Sequence, residues 1–350
     1  EDGAEKSSAF NMVNRNERAI TLDLEDPAGR ELLLRLVASA HAVVENFSGA
    51  VLPKLNLSYD VFKQVNDKII LVSMPAFGST GPWANFRAYG STVEQSSGLP
   101  HLNGSAEDLP TMHHVAYGDA VGGLNGAAAL LVALRHQART GLGQFVDVSQ
   151  VEGLFPLASQ GFMLFSGKHL LPLRAGIRRD YVNPHGVYPC VGDDAWIVIQ
   201  IYNDAQWQAL RGMAAPYLDE FADRFGQPEA LDRSIAEWTK QQTAQALMYA
   251  LQARHVPAVV TNKASELLTD AHLDEGGYWQ WMDRAVVGNQ PNPSPPFRVN
   301  AQRIKIGKPA PTLGQHNHEI LVGELGISQQ QYELLIERGI IGQRPRMPGS

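Results

Sequence analysis

Cysteine is almost absent from this chain: among 350 residues there is one, Cys190. A lone thiol excludes an intrachain disulfide and a thiolate metal cluster, and it suits a reducing compartment such as the cytoplasm. Basic runs are equally scarce. No run of Lys or Arg exceeds two residues and the formal net charge is -7, so neither nucleic acid nor an anionic membrane is expected as a partner. An anionic ligand must be met by a local pocket rather than by the overall field. Long apolar runs are missing too. The longest, around 127–134 and 196–201, fall short of the roughly 18 residues a membrane span needs, and suit a buried helix and a buried strand. No signal peptide is visible, and the chain opens on Glu1-Asp2-Gly3 rather than Met.

Familiar catalytic signatures are also lacking. There is no Walker A sequence, no G-x-G-x-x-G after a strand and no G-x-S-x-G elbow, which argues against those nucleotide loops and an α/β-hydrolase serine. His113-His114 and the pair His316 and His318 lack the carboxylate–histidine spacing of a metal site, so they are expected to be surface or core histidines and no metal is expected.

What is present is an ordinary globular composition, 44% hydrophobic and 19% charged, at a length that suits two domains. Residues 19–24 alternate weakly and suggest a short strand. Asp26-Pro27 is a strong helix start. Residues 42–45 and 69–74 are compact strand-like runs, Ser58 opens a helix through Val65, and residues 75–82 form a Gly/Pro-rich loop. This alternation predicts an α/β layer with a parallel sheet, and in such sheets ligands sit beyond the strand C-termini. That places Asn46, Phe47 and residues 76–80 near a ligand. A helix over 89–99, a strand at 145–148 and a helix over 150–165 follow. Residues 167–184 look like a linker. Strands at 186–188 and 196–201, with amphipathic helices over 205–213, 231–241 and 243–253, indicate a second α+β domain, and 288–296 looks like a Pro/Asn-rich connector. Two helices, 319–325 and 328–338, close the chain. The expected organisation is a large α/β domain of Rossmann-like layering over 1–184, a smaller α+β domain over 185–296, and a segment 297–350 returning to the first.

The segment 115–143 carries the most chemistry. Asp119 precedes a helix whose first turns hold Gly122, Gly123, Gly126, Ala127, Ala128 and Ala129. Small residues let a backbone or ligand approach, and a helix N-terminus favours an anion. A carboxylate there can attack an activated carbonyl such as a thioester. The same pattern equally describes an N-cap Asp on a helix that packs through its small residues.

The order of motifs resembles the family III CoA-transferases, the CaiB/BaiF group that also contains carnitine CoA-transferase, formyl-CoA transferase and α-methylacyl-CoA racemase. The likeness runs through residues 14–24 (NRNERAITLDL), 44–48 (VENFS), 73–82, 89–98, 118–123, 140–149 (TGLGQFVDVS), 184–190 (PHGVYPC), 192–199 and 309–316 (PAPTLGQH). It implies that Asp119 attacks an acyl-CoA thioester, giving first a mixed anhydride and then an aspartyl-CoA thioester, from which an acceptor carboxylate takes the CoA. The substrates implied are an acyl-CoA and a carboxylic acid, with no separate cofactor. By position, the implied CoA contacts are Leu22, Asp23, Leu24 and Glu25, then Asn46, Phe47 and Ser48, Lys54, and Arg87, Ala88 and Tyr89. An interlocked homodimer is implied as well.

Racemases of this group abstract a proton with a histidine followed by an aspartate where this chain has Tyr89-Gly90, which disfavours that route. Formyl-CoA transferase-like members carry an acidic residue at Gly90, so a different acceptor is expected. A catalytically inactive acyl-CoA-binding homologue and an α-methylacyl-CoA racemase or isomerase remain the alternative readings. Family members begin with a further strand–helix–strand unit that does not appear in this sequence, which predicts a fragment or a chain completed by another, and low stability for this polypeptide alone.

Overall fold

The computed structural model describes residues 5–344 except 114, 173, 175 and 180. The chain divides into two units. One comprises Glu1–Ser97, His113–Ala158 and Asp270–Ser350, and the other Gly98–Met112 and Ser159–Thr269. Residues 98–112 and 159–184 thus group with the second unit and 270–296 with the first, whereas the sequence placed boundaries at 184 and 296.

The first unit opens with α1 (Ser8–Val13) and α2 (Pro27–Ser39), the latter capped by the Asp26 side chain on the Ala28 amide, with Pro27 in the first turn. Then come β1 (Ala42–Glu45), α3 (Val51–Lys54), α4 (Tyr59–Val65, capped by Ser58), β2 (Ile70–Ser73) and α5 (Gly90–Gln95). α6 (Tyr117–Thr140), β3 (Gln144–Asp147) and α7 (Gln150–Leu154) complete this stretch. The strands pair in parallel in the order β1-β2-β3. β2 is buried along its whole length because helices cover both faces of the sheet. Leu71 packs with Val37, Leu57, Phe62 and Ile69 on the side of α2 and α4. Ile70 and Val72 face the other way, onto Ala133 of α6.

α6 is long and apolar enough, by length and composition, to cross a membrane. Its glycines are committed elsewhere. A Cβ at Gly118 would lie 2.8 Å from the Gly90 carbonyl oxygen, one at Gly122 2.8 Å from the Gln150 side chain, and one at Gly126 would strike Met74. These three positions repeat every four residues, so one face of α6 is a packing stripe against α5, α7 and the end of β2. The glycines noted in the sequence therefore divide: Gly122 and Gly126 serve packing, as Gly118 does, while nothing lies within 4 Å of a Cβ at Gly123.

The expected helix over 150–165 is broken. α7 gives way to a 3₁₀ turn at Phe155–Ala158, and α8 (Ser159–Lys168) belongs to the second unit. Pro156 supplies no amide for an α-helical bond, which accounts for the break. In the second unit β4 (His185–Pro189), β5 (Trp196–Gln200) and β6 (Ala258–Val260) form an antiparallel sheet. α9 (Asp204–Met213), α10 (Pro228–Thr239) and α11 (Ala244–Gln252) pack on it through Trp207, Leu210, Leu231, Ile235, Leu247 and Leu251.

α12 (Ala264–Leu267) and α13 (Ala271–Glu275) lead to a hairpin of β7 (Trp279–Arg284) and β8 (Gly288–Pro293). The supposed connector at 288–296 is thus largely a strand. Its prolines are tolerated because β8 pairs on one side only, so their missing amides break no second ladder. A single π-helical turn at Glu319–Glu324 and α14 (Gln329–Glu337) end the described chain.

The strand expected at 19–24 does not form. Instead the Ala19 amide donates to His316 Nδ1, Thr21 to Asn317 Oδ1 and Asp23 to the Ile340 carbonyl, at 2.8–3.1 Å. Alternate amides of the segment are thus satisfied by two side chains and one carbonyl of the C-terminal segment rather than by a neighbouring strand.

Candidate active site

α6 begins after Ala116, which makes no side-chain cap bond, and Asp119 is the third residue of the helix. The N-cap reading of Asp119 is therefore corrected: the carboxylate is not spent on capping. It is exposed, and among the described residues no side chain pairs with it. A first-turn position puts it in the positive end of the helix dipole, near amides that have no intrahelical acceptor. It rests over Gly90, the first residue of α5. A Cβ at Gly90 would lie 2.7 Å from Asp119 Cγ and 2.9 Å from Ala116 Cβ, closer than packed carbons approach. The glycine is what allows the carboxylate to sit there.

The other predicted residues fall into three groups. Leu22, Asp23, Leu24, Glu25 and Lys54 line one open pocket of about 490 Å³ with Val51 and Leu55. Gly29 makes this possible, because a Cβ there would strike the Asp23 backbone. Arg30 Nη1 donates to the Leu24 and Glu25 carbonyls, both at 2.8 Å, and fixes the same segment. Ser48 lines a second pocket of about 420 Å³ on the other side of α3, with Glu45, Ser73, Ser79 and Tyr59 among its walls. Burial and the neighbouring Asp60 raise the Tyr59 phenol above its ordinary value, so it stays a neutral donor. Asn46 and Phe47 are exposed at the mouth of β1, where the Phe47 amide donates to Glu45 Oε2 at 2.8 Å.

Arg87 and Tyr89 are exposed and Ala88 half-buried in the turn leading into α5, so Tyr89 adjoins the glycine beneath Asp119. The loop carrying Ser48 meets the loop carrying Arg87 where Gly49 comes within 3.3 Å (from a would-be Cβ) of the Ala84 carbonyl. Asp119 is not among the residues lining either pocket. The loop after β2, expected beside a ligand, is tied down by Asp147, which accepts from the Ser79 amide at 2.9 Å.

Sequence reasoning passed over Glu94. It is fully buried on α5, and its Oε1 is 2.8 Å from both the His113 amide and His113 Nδ1. His113 is thus tied to a carboxylate rather than being a plain surface histidine; His114 lies outside the described residues. The position of Glu94 four residues after Gly90 was the available signal, since i and i+4 share a helix face. No group of three or more His, Cys, Asp or Glu fit to hold a metal occurs among the described residues.

Residues 1–317 match the description CoA-transferase family III. A probable CoA-transferase of Mycobacterium tuberculosis is 31% identical over 97% of this chain, and the chain spans 44% of that relative's length. A succinate–glutarate CoA-transferase of Agrobacterium fabrum is 29% identical over 91% of this chain and 82% of the relative. Among solved structures, a CaiB/BaiF family protein from Brucella suis superposes with a TM-score of 0.82 at 28% identity, covering 91% of this chain and 84% of that one. With the ordered motifs, the parallel sheet and Asp119 at the start of α6, these likenesses agree: the chain belongs to CoA-transferase family III.

Proposed function

We propose that this protein moves coenzyme A from an acyl-CoA to a carboxylic acid, with Asp119 as the covalent nucleophile. The observation that carries the proposal is the Asp119 carboxylate, exposed in the first turn of α6 and seated over Gly90. Asp119 attacks the thioester carbonyl, the carbon–sulfur bond breaks, and CoA leaves as thiolate from a mixed anhydride. The thiolate then attacks Asp119 Cγ, releasing the donor acid and leaving an aspartyl-CoA thioester. The acceptor carboxylate attacks the same carbon, and the thiolate it frees takes the acceptor acyl group, regenerating Asp119. Each step trades one activated acyl bond for another, so no step loses the thioester energy to water. The helix start favours the oxyanion of each tetrahedral intermediate.

Within this reading the pocket of Leu22–Glu25 and Lys54 and the Arg87–Tyr89 turn hold CoA, Lys54 and Arg87 being the cations suited to its phosphates. Relatives named for succinate, glutarate and mesaconate point to a short dicarboxylate as one substrate. We read the layering as Rossmann-like and the assembly as a cytoplasmic interlocked homodimer. The exposed apolar residues Leu124, Leu131 and Val132 of α6 support a covering surface.

The test is mass spectrometry after incubation with a panel of acyl-CoAs and hydroxylamine, which converts aspartyl anhydrides and thioesters to a hydroxamate. The expected result is that mass change on Asp119 and its loss in Asp119→Asn. CoA binding with Asp119 never modified would overturn the assignment.

A further inference from the structure

The transfer chemistry leaves one buried acid without a role. Glu94 is fully buried on α5, and a buried carboxylate is costly unless its oxygens are satisfied. Oε1 is satisfied twice, by the His113 amide and by Nδ1, while Oε2 has no partner among the described residues. A carboxylate kept on such terms invites a functional explanation.

His113 stands three residues before Ala116, the uncapped entry to α6. Val115 and Ala116 are exposed at that entry, which meets α5 closely only where Ala116 and Gly118 lie over Gly90 and Val93. The two bonds to Glu94 therefore tether it to α5. The His113 ring also lies against Tyr117, in the first turn of α6, with centroids 5.4 Å apart. One turn away along the same face of α5 is Gly90, over which the Asp119 carboxylate sits; the Cβ positions of such residues are about 5–6 Å apart. The tether and the nucleophile's seat are thus neighbouring turns of one helix.

We propose that Glu94 and His113 are a positioning pair, which fixes the entry of α6 so that Asp119 is presented over Gly90 in the attacking geometry. The proposal rests on the reading of Asp119 as nucleophile. Its consequence falls on the chemical step rather than on CoA binding, because the pair touches neither CoA-lining pocket.

The experiment compares wild type, His113→Ala, His113→Asn and Glu94→Gln with one acyl-CoA and one acid. It measures kcat, KM and the rate of hydroxylamine trapping at Asp119. Misplacing a reacting group by about 1 Å costs on the order of 100-fold. His113→Ala is expected to lower kcat and trapping together by roughly 10- to 100-fold, with KM for the acyl-CoA within about threefold. His113→Asn, whose amide nitrogen can stand where Nδ1 stands, is expected to recover much of that loss. Glu94→Gln keeps an acceptor but loses the charge, and is expected to fall between them.

A wild-type kcat in His113→Ala would overturn the pair. So would His113→Asn being as slow as His113→Ala, which would make proton transfer by the ring the relevant property. A raised KM at unchanged kcat would do the same. The wild-type control separates the two readings: no adduct there sinks the nucleophile, whereas a normal adduct beside an unimpaired His113→Ala sinks only the positioning pair.

Discussion

Gly90→Ala adds one methyl group beneath Asp119, the proposed nucleophile. The added Cβ would lie 2.7 Å from Asp119 Cγ, 2.9 Å from Ala116 Cβ and closer still to Asp119 Oδ2, where ordinary contact begins at 3.4 Å, so α6 must retreat by roughly 0.5–0.7 Å and the carboxylate oxygen by about 1 Å. The Gly90 backbone is not in the left-handed region, so alanine adds no strain of its own. Helix propensity returns up to about 1 kcal/mol, and overpacking costs about 1–3 kcal/mol. The net change in stability is therefore small enough for a folded variant. Activity is expected to suffer more. A retreat approaching 1 Å lowers kcat by roughly 30- to 100-fold, which corresponds to about 2–2.7 kcal/mol in the barrier. The assay follows exchange between an acyl-CoA and an isotopically labelled acid by mass spectrometry, alongside a thermal melt of each protein. Wild-type exchange in a Gly90→Ala variant with an unchanged melting temperature would refute the seat of Asp119 described above.

On the same helix as Asp119, Gly123→Ala meets open space and should stabilise the protein by up to about 1 kcal/mol in a denaturant titration without altering exchange. Gly29→Ala drives a methyl into the Asp23 backbone; displacing residues 22–25 should raise KM for the acyl-CoA more than it lowers kcat, as steady-state kinetics would report. Hydrogen bonds from Arg18 hold the Glu324 carboxyl below its ordinary range. A depressed folded value means its contribution is complete above the ordinary glutamate range and fades as pH falls through the folded value. Melting curves across acid pH should therefore show a shallower acid loss in Glu324→Gln, and the effect is modest because the pair is exposed.

Much of the fold was legible because its signals are local. Asp26-Pro27 and Ser58 announce helix starts through capping and fixed φ. The runs at 42–45 and 69–74 could only be strands between helices, and both lie in the parallel sheet. Two expectations failed where the deciding partner was remote, and a third where one residue inside the segment decided. The segment 19–24 alternates like a strand, but its amides are taken by His316, Asn317 and Ile340. Proline-rich 288–293 looks like a connector until β7 pairs with one edge of it. The helix over 150–165 has the right periodicity but breaks in the turn that holds Pro156.

The candidate site divides in the same way. Motif order in the sequence was enough to point to Asp119 and to the segments proposed to hold CoA, because those signatures are written in consecutive residues. Only the tertiary structure decided that Leu22–Glu25 and Lys54 share a pocket, that Asp119 is no N-cap, and that its carboxylate rests on Gly90. Glu94 and His113, both unremarked as partners in the sequence, meet for the same reason. Periodicity and capping act within a helical turn or two, whereas these meetings join residues distant in sequence: Gly29 lets α2 close on residues 22–25, and Gly90 and Gly118 let α5 pack against α6 with room for backbone contact.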